Sequence, residues 1–124
     1  MKIYVAAPWS CKEQAQAAAA FLEAQGHQVV SRWMNEHGDA QTHEQFQKEA
    51  YADEEDVYDC EVLILLNLEP SRGKETELGM ARAWGKYLIG VGDRNCPGVP
   101  GNVFYHWSFM HWVPDLESAL ALLQ

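Results

Sequence analysis

The sequence is poor in three things. Cysteine occurs only three times in 124 residues, at Cys11, Cys60 and Cys96, an odd and scattered set that indicates neither a disulfide framework nor a zinc motif. Basic residues are few: nine lysines and arginines face eighteen aspartates and glutamates, for a net charge of -9. Such a chain has no broad positive surface to follow a phosphate backbone, so long nucleic acid is not an expected partner. One nucleoside or nucleotide needs only local donors and stays open. Finally, no apolar run approaches the ~20 residues of a membrane span, and Met1 leads straight into "KIYVAAP" rather than into a leader pattern. The expectation is a soluble, reduced, cytoplasmic protein without a membrane partner.

What is present suits one packed domain over residues 1–124, since 48% of the residues are hydrophobic and repeats and low-complexity linkers are missing. "KIYVAA" (Lys2 to Ala7) reads as a strand ended by Pro8, and the alanine-rich "KEQAQAAAAFLEAQG" as a helix closed by Gly26. "HQVVSRW" is predicted as a second strand. A polar, acidic helix from about Thr42 to Tyr58 follows, with Phe46, Ala50 and Val57 as sparse inward positions. "EVLILLNLE" is continuously apolar and therefore a central parallel strand covered on both faces. "KETELGMARAWGK" carries Leu78, Ala81 and Trp84 near helical spacing, and "KYLIGVG" is a fourth strand. Beyond "DRNCPGVPGN", the segment "VFYHWSFMHWV" supplies an edge strand or two short ones, and "DLESALALLQ" a last helix capped by Asp115.

This alternation predicts an α/β fold: a doubly wound three-layer sandwich around a mainly parallel sheet of about five strands, flavodoxin- or Rossmann-like. Ligands of such folds bind outside the carboxyl ends of the strands. Three stretches lie there: "AAPWS", "SRWMN" and "LEPSRGKETE".

Ser71, Arg72 and Gly73 form a turn ahead of a helix, and its free N–H groups favour an anion. Glu75 and Glu77 follow. On composition alone they are ordinary dipole-complementing residues, but two positions apart on a helix they point in different directions, so at most one aims at the crevice. Trp9 and Trp33 follow the first two strands, where they either stack a flat base or pack the loops. His106 and His111 are five apart without carboxylate or cysteine partners at a recognised spacing, so no metal site is proposed.

"KIYVAAPW", an acidic helix leading into "CEVLILL", and "SRGKETELGMARAWGK" together resemble the nucleoside 2-deoxyribosyltransferase family, which includes the nucleoside 5'-monophosphate N-glycosidases. The likeness spans roughly the first three-quarters of the chain; the tail from Gly98 matches loosely. The resemblance implies that Glu77, in the E-L-G element, attacks the anomeric carbon of a deoxyribosyl group, and that the leaving base takes its proton from Asp53, with Asp56 in reserve. It also implies that Tyr4 hydrogen-bonds and orients the nucleophile. An oxocarbenium-like transition state explains why a carboxylate nucleophile and a carboxylic acid are needed together. Transfer to another base or to water then separates transferase from hydrolase.

Two departures concern the substrate. Ser10 stands near the arginine that monophosphate glycosidases use for phosphate, which favours nucleosides. Ser71 stands six residues before the nucleophile, where nucleotide-cleaving relatives bind phosphate, and with Gly73 it is expected to touch sugar or phosphate. Arg72, Lys12 or Arg32 are candidates for the missing charge. Family members complete their site from a neighbouring subunit, which makes the aromatic tail a candidate interface in a homodimer or higher homo-oligomer and Asn102 its candidate substrate contact. No cofactor is implied. A non-catalytic nucleotide-binding module is the alternative of another class, and a binder has no need of the Tyr4, Asp53 and Glu77 set.

Overall fold

The computed structural model of the chain describes residues 1–95 and 101–124; Cys96 and the rest of "CPGVP" lie outside them. Its centre is β3 (Val62–Leu66), the apolar run "VLILL", in which every residue is buried. β3 pairs in parallel with β1 (Lys2–Ala6) on one side and β4 (Tyr87–Val91) on the other. A parallel strand with paired edges and covered faces has no wet side, hence no polar alternation. β2 (Gln28–Val29) and β5 (His111–Val113) complete an all-parallel sheet of order β2-β1-β3-β4-β5. The chain leaves β1 toward β2 and then crosses back to β3. The connections diverge there, opening a crevice beyond the carboxyl ends of β1 and β3.

Helix α1 (Lys12–Ala24) buries Ala15, Ala18, Ala19 and Leu22, one stripe at i, i+3, i+4 and i+7 whose small side chains allow close approach to neighbouring elements. A 3-10 turn, Trp9–Cys11, joins β1 to it. β2 is shorter than the predicted "HQVVSRW", because the Arg32 N–H turns to the Asp56 carboxylate at 3.0 Å and Trp33 starts a short helix, α2 (Trp33–Glu36).

Helix α3 (His43–Asp59) begins in a capping box between Thr42 and Gln45. Of its predicted inward positions only Val57 is buried; Phe46 is 57% exposed and Ala50 is exposed. The C-terminal half of α3 packs on the core, whereas Ala50, Asp53 and Glu54 face the crevice.

Helix α4 (Arg72–Ala83) takes Ser71 as its N-cap, so Gly73 lies within its first turn rather than in a loop ahead of it. Leu78 and Ala81 are buried as expected. Trp84 is 38% exposed, since the helix ends there and the indole packs edge-on against Tyr58 at 5.2 Å.

The tail forms a 3-10 turn (Val103–His106), a single edge strand and α5 (Leu116–Leu122), capped by Asp115 through the Ser118 N–H at 2.8 Å. The Trp112 ring lies flat on β4 at Gly90, where a Cβ would sit 2.6 Å from the ring, and its Nε1 donates to the Tyr105 carbonyl at 2.8 Å. Only glycine leaves room for that contact. It fixes Tyr105 beside the N-terminus of α4. Among the described residues no helix is long and apolar enough to cross a membrane.

Candidate active site

A cleft of about 490 Å³ opens at the crevice, walled by Trp9 and Trp33, by Asp53 of α3 and by Ser71, Lys74 and Glu77 of α4. The walls follow from local sequence. Trp33 is buried and its Nε1 donates to the Val5 carbonyl at 2.8 Å, so the indole is pinned at the end of β1. Trp9 is half exposed and meets Trp33 at 5.9 Å between ring centroids, tilted by 53°. Both indoles contribute apolar surface of the kind a flat base covers.

Glu77 lies one turn into α4, on the face opposite to Glu75, as the spacing requires. It is buried, and the Tyr4 hydroxyl, itself fully buried in β1, donates to its Oε2. Burial without a cation beside it pushes the Glu77 carboxyl up to about 8.

Across the cleft, Asp53 is half-buried and is pushed up to about 6, chiefly by burial and further by Asp56 and Glu49, against the opposing pull of His37 and Arg32. Its Oδ1 is wholly enclosed and receives no hydrogen bond; His37 Nδ1 stands 3.3 Å away, within ion-pair reach but without hydrogen-bond alignment. Two carboxyl groups, both pushed upward by burial, face one cavity, as an acid and a nucleophile acting on one bond would.

Asp56 does not join them. Its carboxylate holds Arg32 through Nε at 3.0 Å, Nη2 at 2.8 Å and the backbone N–H, and it lies outside the residues lining the cleft. The reserve acid is thus set apart from the cleft. It also commits Arg32, which was a candidate for the missing substrate charge.

Lys12 lies over the Trp9 ring at 5.2 Å, and Ser10, in the turn after β1, donates to the carboxylate of Glu69 from the loop after β3, so an acid stands where the resemblance expects a cation. Arg72 is exposed on the first turn of α4.

Glu75 differs from its expected role as a capping or surface charge. It is half-buried and accepts from Lys74 Nζ at 2.7 Å, from Asn102 Nδ2 at 2.9 Å and from the Tyr105 hydroxyl. Lys74, 1% exposed, lines the cleft and also reaches the Tyr105 hydroxyl at 3.2 Å. Asn102 therefore sits behind α4, on a separate groove of about 750 Å³ shared with Arg82, Phe104 and Trp107.

The structure thus brings Glu77, Tyr4, Asp53, Ser71, Gly73, Trp9 and Trp33 to one place, and sets Asp56 and Asn102 apart from it within the chain. Lys74 and His37 were missed from the sequence. A lysine between a helix cap and an acidic residue gives no sign of burial, and His37 stands in a polar loop with no motif around it. Among the described residues no cluster of three or more His, Cys, Asp or Glu is placed to hold a metal ion.

Comparison with known proteins agrees with the fold. The family model described as nucleoside 2-deoxyribosyltransferase matches residues 3–105. A 2-deoxyribosyltransferase of Bacillus psychrosaccharolyticus superposes with a TM-score of 0.72 at 20% identity, covering 96% of this chain and 90% of that one. A CMP N-glycosidase of Clostridium botulinum gives 0.61 at 23% identity, covering 99% and 98%. At these identities the two structures speak for the fold. No curated protein sequence matches the chain.

Proposed function

The chain belongs to the nucleoside 2-deoxyribosyltransferase family, and from that membership we propose that it cleaves the N-glycosidic bond of a 2'-deoxynucleoside and passes the sugar to another base. The observation that carries this reading is the Tyr4–Glu77 pair buried at the cleft floor opposite Asp53. The base lies against Trp9 and Trp33, which sets C1' toward Glu77.

In the first step an oxygen of the Glu77 carboxylate bonds C1' as the glycosidic bond breaks, and the proton of Asp53 moves to the departing base nitrogen. Tyr4 holds the attacking carboxylate in place. In the second step the incoming base bonds C1', the ester to Glu77 breaks, and the acceptor's proton returns to Asp53. Ser71 and the first turn of α4 hold the 5' end of the sugar.

A second reading rests on Lys74. Its side chain lines the cleft next to Ser71, and although its ammonium bonds Glu75 and Tyr105, its charge favours a 5'-monophosphate, in a reaction with water as acceptor. Against it, Arg32 is bound to Asp56, the Lys74 ammonium is paired with Glu75, and Glu69 from the loop after β3 stands against the turn after β1. Incubation with deoxynucleosides and their monophosphates, with and without an acceptor base, decides by chromatography. Exchange of base on the nucleosides is expected. Release from monophosphates alone supports the second reading, and binding by calorimetry with neither exchange nor release leaves a nucleotide-binding module.

The same proposal includes a single cytoplasmic domain acting as a homodimer or higher homo-oligomer. The aromatic groove of Phe104 and Trp107 supports a self-association surface, in which Asn102 faces the neighbouring copy's site. Light scattering at micromolar concentration, where a dimer mass is expected, checks it.

A further inference from the structure

The geometry points to His37 as a positioning residue for the acid Asp53, carried on a loop that the fold clamps from two sides. This inference rests on the glycosyl-transfer reading above and adds a residue to it.

The loop is held with unusual tightness for a polar stretch. On one side, the Gly38 N–H donates to Glu49 Oε1 at 3.3 Å, and Glu49 lies one helical turn before Asp53 on the same face of α3. On the other side, the Trp9 ring rests on Gly38, whose φ of +124° and whose missing Cβ, 2.6 Å from Trp9 Cζ2 if it were present, together demand glycine. Between these two anchors the His37 side chain is only 11% exposed, and its Nδ1 stands 3.3 Å from Asp53 Oδ1. That oxygen is wholly enclosed and accepts no hydrogen bond. A slight turn of the imidazole supplies one.

The consequence is chemical. With Oδ1 turned to His37, the oxygen of Asp53 left to face the cleft is Oδ2, which carries the proton to the leaving base. When that proton departs, the negative charge is shared with Oδ1 beside the His37 N–H, so the carboxylate forms in a prepared orientation. The other charged groups around Asp53 are Glu49, Glu54 and Asp56 on its own helix, Arg32 at the start of α2, and Glu77 and Lys74 across the cleft on α4. Of these, His37 and Arg32 stabilise the ionised acid, and Arg32 is held by Asp56.

The test compares 2'-deoxyguanosine with 7-methyl-2'-deoxyguanosine, whose cationic base departs without taking a proton, in whichever 5'-phosphorylation state the wild type accepts. His37→Ala is expected to lower kcat/KM on the ordinary substrate by about tenfold to a hundredfold and on the methylated one by less than about threefold. His37→Asn, which returns an N–H near the Nδ1 position, restores most of the loss. The acid limb of the pH profile moves to higher pH in His37→Ala, because a group favouring ionised Asp53 is gone. Equal losses on both substrates, or an unmoved acid limb, overturn the assignment. If His37→Ala fails to fold, Gly38→Ala shifts the loop against Trp9 and is expected to give the same split between substrates. A carbon-13 titration of the Asp53 carboxyl in wild type and His37→Ala needs no turnover. An upward shift in the variant upholds the pair even where the wild type releases no base, which would overturn only the glycosyl-transfer reading; an unchanged titration overturns the pair.

Discussion

Asp56 and Asp53 stand one turn apart on α3, and the protein treats them in opposite ways. Asp56 is buried against three donors of Arg32, its charge met in full. Asp53 and its counterpart Glu77 are enclosed without a cation in contact, apart from the half-aligned His37, and both are pushed toward the protonated state. A buried carboxylate that has its cation holds structure together, whereas one denied a cation keeps its proton to higher pH, which suits the proposed role of Asp53 as acid.

The largest expected effect lies on the catalytic side of that contrast. Glu77→Gln should lower base release or exchange by on the order of a thousandfold or more, measured by chromatography of free base, because it removes the nucleophile. Its folding should not suffer. The folded-state pKa of Glu77 is raised above its unfolded value, so the carboxyl contributes stability that is present below about 4.5 and lost as pH rises toward about 8. Relative to the wild type, Glu77→Gln should therefore gain in Tm between pH 5 and pH 8. A variant less stable than the wild type at pH 8 breaks the contrast.

The structural side gives the next effect. Asp56→Ala leaves Arg32 without its carboxylate and exposes a buried gap, at a cost of about 3 kcal/mol in urea unfolding. A loss below about 1 kcal/mol would mean that the pair is worth no more than a surface contact.

Tyr4→Phe removes the hydroxyl that steadies ionised Glu77, and should cost about tenfold or somewhat more in kcat/KM. It should also move the alkaline limb upward, since the carboxylate loses a donor.

The smallest effect is in the pH profile itself. The proposed reaction requires Asp53 protonated and Glu77 ionised, but their pKa values of about 6 and about 8 favour the reverse arrangement by two units. Only about one free molecule in a hundred then carries the productive distribution, and kcat/KM should form a bell with limbs near 6 and 8, falling about tenfold per pH unit outside them. A flat profile from pH 5 to 9 would show that these two groups do not govern the reaction.

The parts of the molecule that follow from short-range patterning were readable. The apolar run of β3, the alanine-rich helix α1 and the Asp115 cap depend on neighbours within a turn or a strand, and the structure has them as expected. Resemblance supplied Glu77, Asp53 and Tyr4, and the fold gathers them. What could not be read depends on partners far along the chain. Glu75 looks like a helix-start charge until Tyr105, 30 residues later, is seen to donate to it. Trp33 looks like a strand residue until the carbonyl of Val5 is seen to hold its indole. Phe46 carries helical spacing but stands on the half of α3 that projects beyond the core, a matter of where the sheet ends.

The Lys74–Glu75–Tyr105 knot also ties the helix that carries Glu77 to the tail of the chain. The buried lysine, three residues before Glu77, meets the Tyr105 hydroxyl only across a further 31 residues of chain. The stretch that matches the family ends at that tyrosine. A chain ended before it keeps Glu77 and Asp53 but gives the Lys74 ammonium only Glu75 as a partner, so α4 is expected to be held less firmly.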